Sequence, residues 1–343
     1  MAAAIAFIHM STAGCNLGSQ SRMPEERGKG MDPSHPIEKR RDHQAARTLL
    51  DSQIHALNLP TVQPDSFNYL APLSLYQREK PYKCQLPGPC FGKDARMNNL
   101  VSQNYPTVIS NVAGHEGLFT LDQSGFEFAR CSLASGVGVD SQWSDDSVVN
   151  GYLPDLAQWL KTRLGCRDVF CYAYNFRRHG TDHLQAVGKG LAYDVKPPFF
   201  RVHCDASEAT CLERLRLYFP GSYTTILQSR VRFLNIWRPI SPAPVEDCPL
   251  ALCDFRTVDH ADLVPMDIVY PHFVDEAYEV QYNPAHRWFY KKGMEQDDVV
   301  VFKLFDSLKG EATVCPHSAF VNPEARQTKV RRASIEVKVI VVG

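Results

Sequence analysis

The chain has 343 residues, enough for one large domain or two of ordinary size. A hydrophobic share of 44% and a charged share of 22% exclude wholesale disorder. Lys and Arg total 37 against 38 Asp and Glu, a net charge of −1, which argues against a main role in coating nucleic acid or an anionic membrane. The 11 cysteines are too sparse for a disulfide scaffold and contain no C-x-x-C pair, so they read as reduced, buried thiols. No apolar run approaches the roughly 18 residues of a spanning helix. The opening Met1 to His9 lacks the anatomy of a signal peptide, so the expected compartment is the cytoplasm.

Residues 1–42 are polar, with small residues, Pro, Gly and mixed charges, and read as a flexible tail with little to bury. From His43 the pattern changes. Ala46, Leu49, Leu50, Ile54 and Leu57 fall at helical spacing, and Pro60 ends the segment. Residues 66–150 read as short strands and loops. Val108–Val112 is one strand, and Leu118–Leu121, a turn closing at Gly125, and Phe126–Phe128 have the form of a hairpin. A helix is expected at 152–164, with Leu156, Trp159, Leu160 and Leu164 on one face and Gly165 as its stop, followed by a strand from Asp168 to Tyr174.

The last 145 residues are strand-rich: Phe199–Asp205, Val231–Trp237, Tyr278–Tyr282, Trp288–Tyr290, Val299–Phe305 and Ile335–Val342 are all β-branched or aromatic. One helix, Glu208–Tyr218, interrupts them, with Ser207 as N-cap. Many short strands after an early helical region predict a mainly β protein with flanking helices, a sandwich or jelly roll. A Rossmann domain is disfavoured because helices and strands do not alternate, and Gly136-Val-Gly138 lacks the third glycine of a nucleotide fingerprint.

Two H-x-D sequences compete as metal-binding pairs. In Phe199-Phe-Arg-Val-His203-Cys-Asp205 the period of a strand sends His203 and Asp205 to one face, where imidazole and carboxylate can take adjacent positions on a metal. His260-Ala-Asp262 has the same spacing, but its polar surroundings suit a turn and short helix. His317, late in the chain, would complete the two-His-one-carboxylate face of non-haem Fe(II) oxygenases. Beyond it Arg332 and Ser334, again two apart, can together grip a carboxylate such as the distal one of 2-oxoglutarate. Arg331-Arg-Ala-Ser334 also matches the pattern basophilic kinases modify, although it runs straight into a strand.

Seven motifs stand in order: Arg201-Val-His-Cys-Asp205, Asn235-Ile-Trp-Arg-Pro239, Pro249-Leu-Ala-Leu-Cys-Asp254, Tyr282-Asn-Pro-Ala-His-Arg-Trp-Phe-Tyr290, Phe305-Asp-Ser307, Pro316-His-Ser-Ala-Phe320 and Arg332-Ala-Ser-Ile-Glu-Val337. Together they resemble the fungal hydroxylase/desaturase family that includes the aspergillic-acid hydroxylases and gibberellin-type desaturases, over roughly residues 68–341. The resemblance implies a cupin-like double-stranded β-helix, with 43–343 as a single oxygenase domain: a helical and β part at 43–198 and the barrel at 199–343. It implies Fe(II) held by His203, Asp205 and His317, with 2-oxoglutarate as co-substrate clamped by Arg332 and Ser334, and O₂ as oxidant. Cys204 and Ala333 depart from the family pattern, which more often carries an aliphatic and an acidic residue there.

Further candidates follow from the same strands. Asn235 shares a face with Trp237, and either reaches the iron-bound end of the keto acid or bonds within the sheet core. Arg177, in an expected basic loop with Arg178 and His179, and Arg238, His286 and Tyr290 are candidates for substrate contact; for each a structural role is the alternative. The expected activity is oxidation of an unactivated C–H bond in a small specialised metabolite, with amino-acid-derived molecules among the candidates, by hydroxylation, desaturation or ring closure, with release of succinate and CO₂. The rival readings are a barrel metalloenzyme that does not use 2-oxoglutarate and a non-catalytic partner of a biosynthetic enzyme. Neither nucleic acid nor membrane is an expected partner.

Overall fold

Two β-sheets face each other across an aromatic core. The computed structural model describes residues 36–85, 95–133, 145–180, 195–325 and 330–343. The expected tail and the Gly136–Gly138 segment fall largely outside these residues; within them a helix runs Pro36–Leu57, so it begins before His43.

The larger sheet has nine strands in the order Thr61–Val62, Ile109–Asn111, Trp288–Tyr290, Leu250–Cys253, His317–Ala319, His203–Cys204, Val274–Val280, Leu263–Val269 and Tyr82–Cys84. The smaller has five, in the order Phe126–Arg130, Asp298–Asp306, Val231–Pro239, Ala333–Val342 and Asp168–Arg178. Most neighbours are distant in sequence, the mark of a jelly roll rather than a meander. Between the sheets lie Phe126, Phe128, Phe170, Phe233, Trp237, Leu252, Phe289, Phe302 and Ile340, all buried.

The strands Val231–Pro239 and Asp298–Asp306 are buried at every position. One face meets the core; the other is covered by the helix Leu153–Leu164. That is why neither shows the regular polar–apolar alternation of a half-exposed strand. The helix starts with Pro154 in its first turn, buries Leu153, Leu156, Ala157 and Leu160, and ends at Gly165 with φ 59°. Each buried leucine contributes about 1.5–3 kcal/mol. Helix Glu208–Tyr218 begins on Ser207, whose hydroxyl accepts from the Thr210 N–H, and packs Cys211 and Leu215 against the core.

Two local expectations are corrected. The segment 118–128 is not a hairpin: Thr120 caps a one-turn helix, Leu121–Ser124, and Gly125 at φ 81° turns the chain into the strand Phe126–Arg130. A Cβ at Gly125 would lie 2.7 Å from the Val314 carbonyl, so close approach as well as backbone angle requires glycine. Arg177 and Arg178 end the strand Asp168–Arg178 instead of sitting in a loop, because that strand continues past Tyr174 along its full pairing with Ala333–Val342.

Candidate metal and carboxylate site

The larger sheet places His203 and His317 directly opposite each other on adjacent antiparallel strands, with ring centroids 4.4 Å apart. Each ring is fixed by the same device. The Nδ1–H of His203 donates to the carbonyl of Arg201, and that of His317 to the carbonyl of Cys315, both at 2.9 Å. Both Nε2 atoms are thereby left as lone-pair donors facing the cavity. Asp205 Oδ1 lies 3.4 Å from the first and 3.9 Å from the second. One ligand atom from each of the three falls within 4.8 Å of the others, the spread of three donors around one ion.

The second oxygen of Asp205 is occupied. It accepts from Asn235 Nδ2 at 2.9 Å and meets Lys338 Nζ at 3.3 Å. Burial penalises the charge of this carboxylate, but the Lys338 ammonium, His203 and His317 hold it well below the usual aspartate range. His317 is pushed down to about 4, first by burial and then by His203, so it is neutral at physiological pH. Two imidazoles with one carboxylate are a donor set suited to a divalent transition ion.

Arg332 stands in the same cavity, which is lined by Arg177, Phe199, His203, Trp237, Phe302 and His317 among others. Its Nη1 donates to the Cys248 carbonyl at 2.7 Å and its Nη2 to Ser334 Oγ at 3.3 Å, while the guanidinium lies 5.0 Å over the Trp237 ring. Among the described residues the buried donors Arg332 Nε and Trp237 Nε1 have no hydrogen-bond partner. Burial, then the Arg177 charge, pushes Arg332 down to about 10, so it stays cationic. Two orphaned donors beside a buried cation call for an anionic acceptor.

Period-2 spacing continues beyond Ser334. Glu336 and Lys338 share its face, and sequence reasoning passed over both although the signal was present in the strand. Glu336 lines the cavity and accepts from Arg177 at 3.2 and 3.3 Å and from Asn175 at 3.2 Å. The strand Ala333–Val342 therefore carries Ser334, with Arg332 just before it, near its start and the brace of Asp205, Lys338, at its middle.

The remaining candidates divide. Arg177 lines the cavity, and Asn235 bonds Asp205, so its amide orients a carboxylate. Arg238 does not reach the cavity. It lies on the outer face of its sheet, 5.6 Å over the Tyr152 ring, and donates to the Gln296 carbonyl. His286 and Tyr290 are also corrected: His286 binds Asp262 at 3.0 Å and stacks on Tyr69, and Tyr290 packs edge-on against Phe320, all on the outer side of the larger sheet. Cys204 points to that outer side too, buried with its thiol raised well above the ordinary value by burial. Ser334 is 1% exposed, which removes it as a kinase site.

Residues 67–342 match the family model described as an oxidoreductase/YMDC permease-like domain. A hydroxylase/desaturase, efuI of Hormonema carpetanum, is 25% identical over 253 residues, 69% of this chain and 83% of the relative. The Fe(II)/2-oxoglutarate-dependent dioxygenase nvfI of Aspergillus novofumigatus is 27% identical over 228 residues, 66% and 78% of the two chains. A solved structure, the iron and alpha-ketoglutarate-dependent endoperoxidase NvfI, superposes with a TM-score of 0.71 at 23% identity, covering 83% of this chain and 98% of that one, a likeness of fold. No helix among the described residues is long and apolar enough to cross a membrane. The chain belongs to the oxidoreductase/YMDC permease-like domain family and stands within it among the fungal hydroxylase/desaturases and Fe(II)/2-oxoglutarate-dependent dioxygenases.

Proposed function

We propose that residues 43–343 form one oxygenase domain in which His203, Asp205 and His317 hold Fe(II), while Arg332 with Ser334 holds the distal carboxylate of 2-oxoglutarate. The observation that carries this reading is that His203 and His317, which converge with Asp205, line one cavity together with Arg332 and Trp237, whose buried Nε and Nε1 donors lack partners. Bound iron and keto acid supply the oxidising power to remove hydrogen from an unactivated C–H bond, with succinate and CO₂ released. The chain's own residues supply position. The Arg201 and Cys315 carbonyls keep the Nε2 lone pairs free, and Asn235 and Lys338 hold Asp205 so that a single oxygen is presented. Phe199, Leu250 and Phe302 wall the cavity and exclude water. The substrate is a small molecule of specialised metabolism, and hydroxylation, desaturation or oxidative ring formation is the outcome.

Arg332 supplies the test. Iron-loaded protein under air is expected to convert 2-oxoglutarate to succinate. Arg332→Ala should weaken keto-acid binding about 10- to 100-fold, the loss of charge-assisted bonds to one carboxylate. Unchanged keto-acid dependence in that variant would favour a barrel metalloenzyme that does not use 2-oxoglutarate.

A further inference from the structure

The mouth of the cavity carries more positive charge than its own acids neutralise. Phe199, on the cavity wall, packs edge-on against His203 with centroids 4.6 Å apart, and the Arg201 guanidinium lies 5.3 Å over its ring. Across the mouth, Lys196 pairs with Arg177 in a β-bridge, so the two side chains share a face. That bridge is held on both sides by backbone bonds of 3.0 Å, from Arg178 N to Lys196 O and from Lys196 N to Phe176 O. Lys83, on the edge strand Tyr82–Cys84, pairs with Ile268, which shares a strand face with Val264; Val264 in turn pairs with Glu279 and Glu279 with His203, so Lys83 projects from the same face of the larger sheet as Glu279 and His203.

Each acid at the mouth already has its cation. Glu279 is bound by Arg201 at 2.7 Å, Glu336 by Nε and Nη2 of Arg177, and Asp205 by Lys338. Arg332 is reserved for the keto acid. Lys83 and Lys196 remain: among the described residues neither forms an ion pair, and the acids that bear on them, Glu279 and Glu336, are the ones already bound. Lys83 is held below the ordinary lysine value by burial and then by Arg201; Lys196, although exposed as a residue, is lowered by desolvation of its ammonium and then by Arg177. A divalent ion at the His203, Asp205 and His317 corner would deepen the surplus. The whole chain has a net charge of −1, so the surplus is local and not the edge of a generally basic surface.

We propose that Lys83 and Lys196 form an anion subsite at the cavity mouth that takes a carboxylate of the organic substrate, separate from the keto-acid carboxylate at Arg332. The inference rests on the proposed oxygenase reading and adds to it the charge class of the substrate. The oxidised carbon would then lie between that carboxylate and the metal corner, with Phe199 beneath the chain that joins them.

Straight-chain amphiphiles test the subsite without knowledge of the natural substrate. Anaerobic protein loaded with Fe(II) and saturated with 2-oxoglutarate is titrated by calorimetry with decanoate and, as the uncharged control, decanol. Decanoate is expected to bind about tenfold more tightly, an advantage that shrinks as salt is raised. It should vanish in Lys83→Met combined with Lys196→Met, and fall in the single variant Lys196→Gln, a change at an exposed position that leaves folding intact. Equal binding of acid and alcohol by the wild-type protein would overturn the proposal, as would an advantage that survives in the double variant. An advantage seen only without 2-oxoglutarate would place the anion at Arg332 and equally overturn it. Binding of 2-oxoglutarate alone is measured in parallel. Its failure would sink the oxygenase reading, whereas normal keto-acid binding with no preference for decanoate would sink the subsite alone.

Discussion

His203-Cys-Asp205 and His260-Ala-Asp262 have one spacing and two fates. The first lies at a strand where His317 sits opposite, its imidazole tied by a backbone carbonyl and its carboxylate held between Asn235 and Lys338. The second is a single 3-10 turn, His260–Asp262. Asp259 and Asp262 close its capping box, and Asp262 goes on to accept from Asn283 and His286. His260 is exposed. Spacing brings a histidine and an aspartate together; what fits them to be ligands is a third donor across the sheet and a second set of bonds that leaves one oxygen and one nitrogen idle. The sharpest way to break this contrast is to exchange the losses. His203→Ala should reduce Fe(II) or Mn(II) affinity by more than about 100-fold, beyond the usual effect of an outer-shell change. His260→Ala should leave metal affinity within error. Metal titration of the two purified variants decides, and the reverse result would mean that the wrong pair has been assigned.

How far the sequence speaks can be judged from the same residues. The barrel was legible because its strands are rich in β-branched and aromatic residues, and the corner because H-x-D and R-x-S each use the period of a strand and a later His completes them. What the pattern could not give was which face of a fully buried strand looks inward. Asn235 and Arg238 stand on one strand that is buried throughout, so alternation carries no polar signal there, and only the helix Leu153–Leu164 decides that Arg238 faces away from the cavity. His286 and Tyr290 were misplaced for a related reason: Trp288–Tyr290 is apolar on both sides, and its outer side is covered by Phe67 and Tyr69 from far earlier in the chain. Glu336 and Lys338 were readable, since they continue the period from Arg332, but their meaning depends on Arg177 from a neighbouring strand and on Asp205 from the bend after His203–Cys204.

Lys338 sharpens the contrast at the next level of effect. If bracing the idle oxygen is what separates Asp205 from Asp262, Lys338→Met should lower metal affinity about tenfold, and Asn235→Ala by a similar amount, with the ligands themselves intact. Lys338→Arg should restore most of the loss, since a guanidinium can still meet Asp205 Oδ2. Metal dissociation constants, not turnover, are the readout. Wild-type affinity in Lys338→Met would reduce the lysine to a packing role.

The smallest effect belongs to the other pair, and it concerns stability. Asp262 is partly buried, which works against its charge, but the hydrogen bond from His286 and then the Asp259 backbone N–H hold its pKa below the ordinary 3.8. Because the folded value is depressed, the unfolded chain takes up the proton first as pH falls. The stabilisation from Asp262 is therefore fully present above pH 3.8 and is lost as the pH drops through the lower folded value. Asp262→Asn should cost about 1 kcal/mol in denaturant unfolding at neutral pH. The gap between variant and wild type should narrow steadily below that point, with metal affinity unchanged throughout. A variant that loses metal, or whose deficit stays constant into acid, would show that the two H-x-D pairs are less different than their surroundings make them.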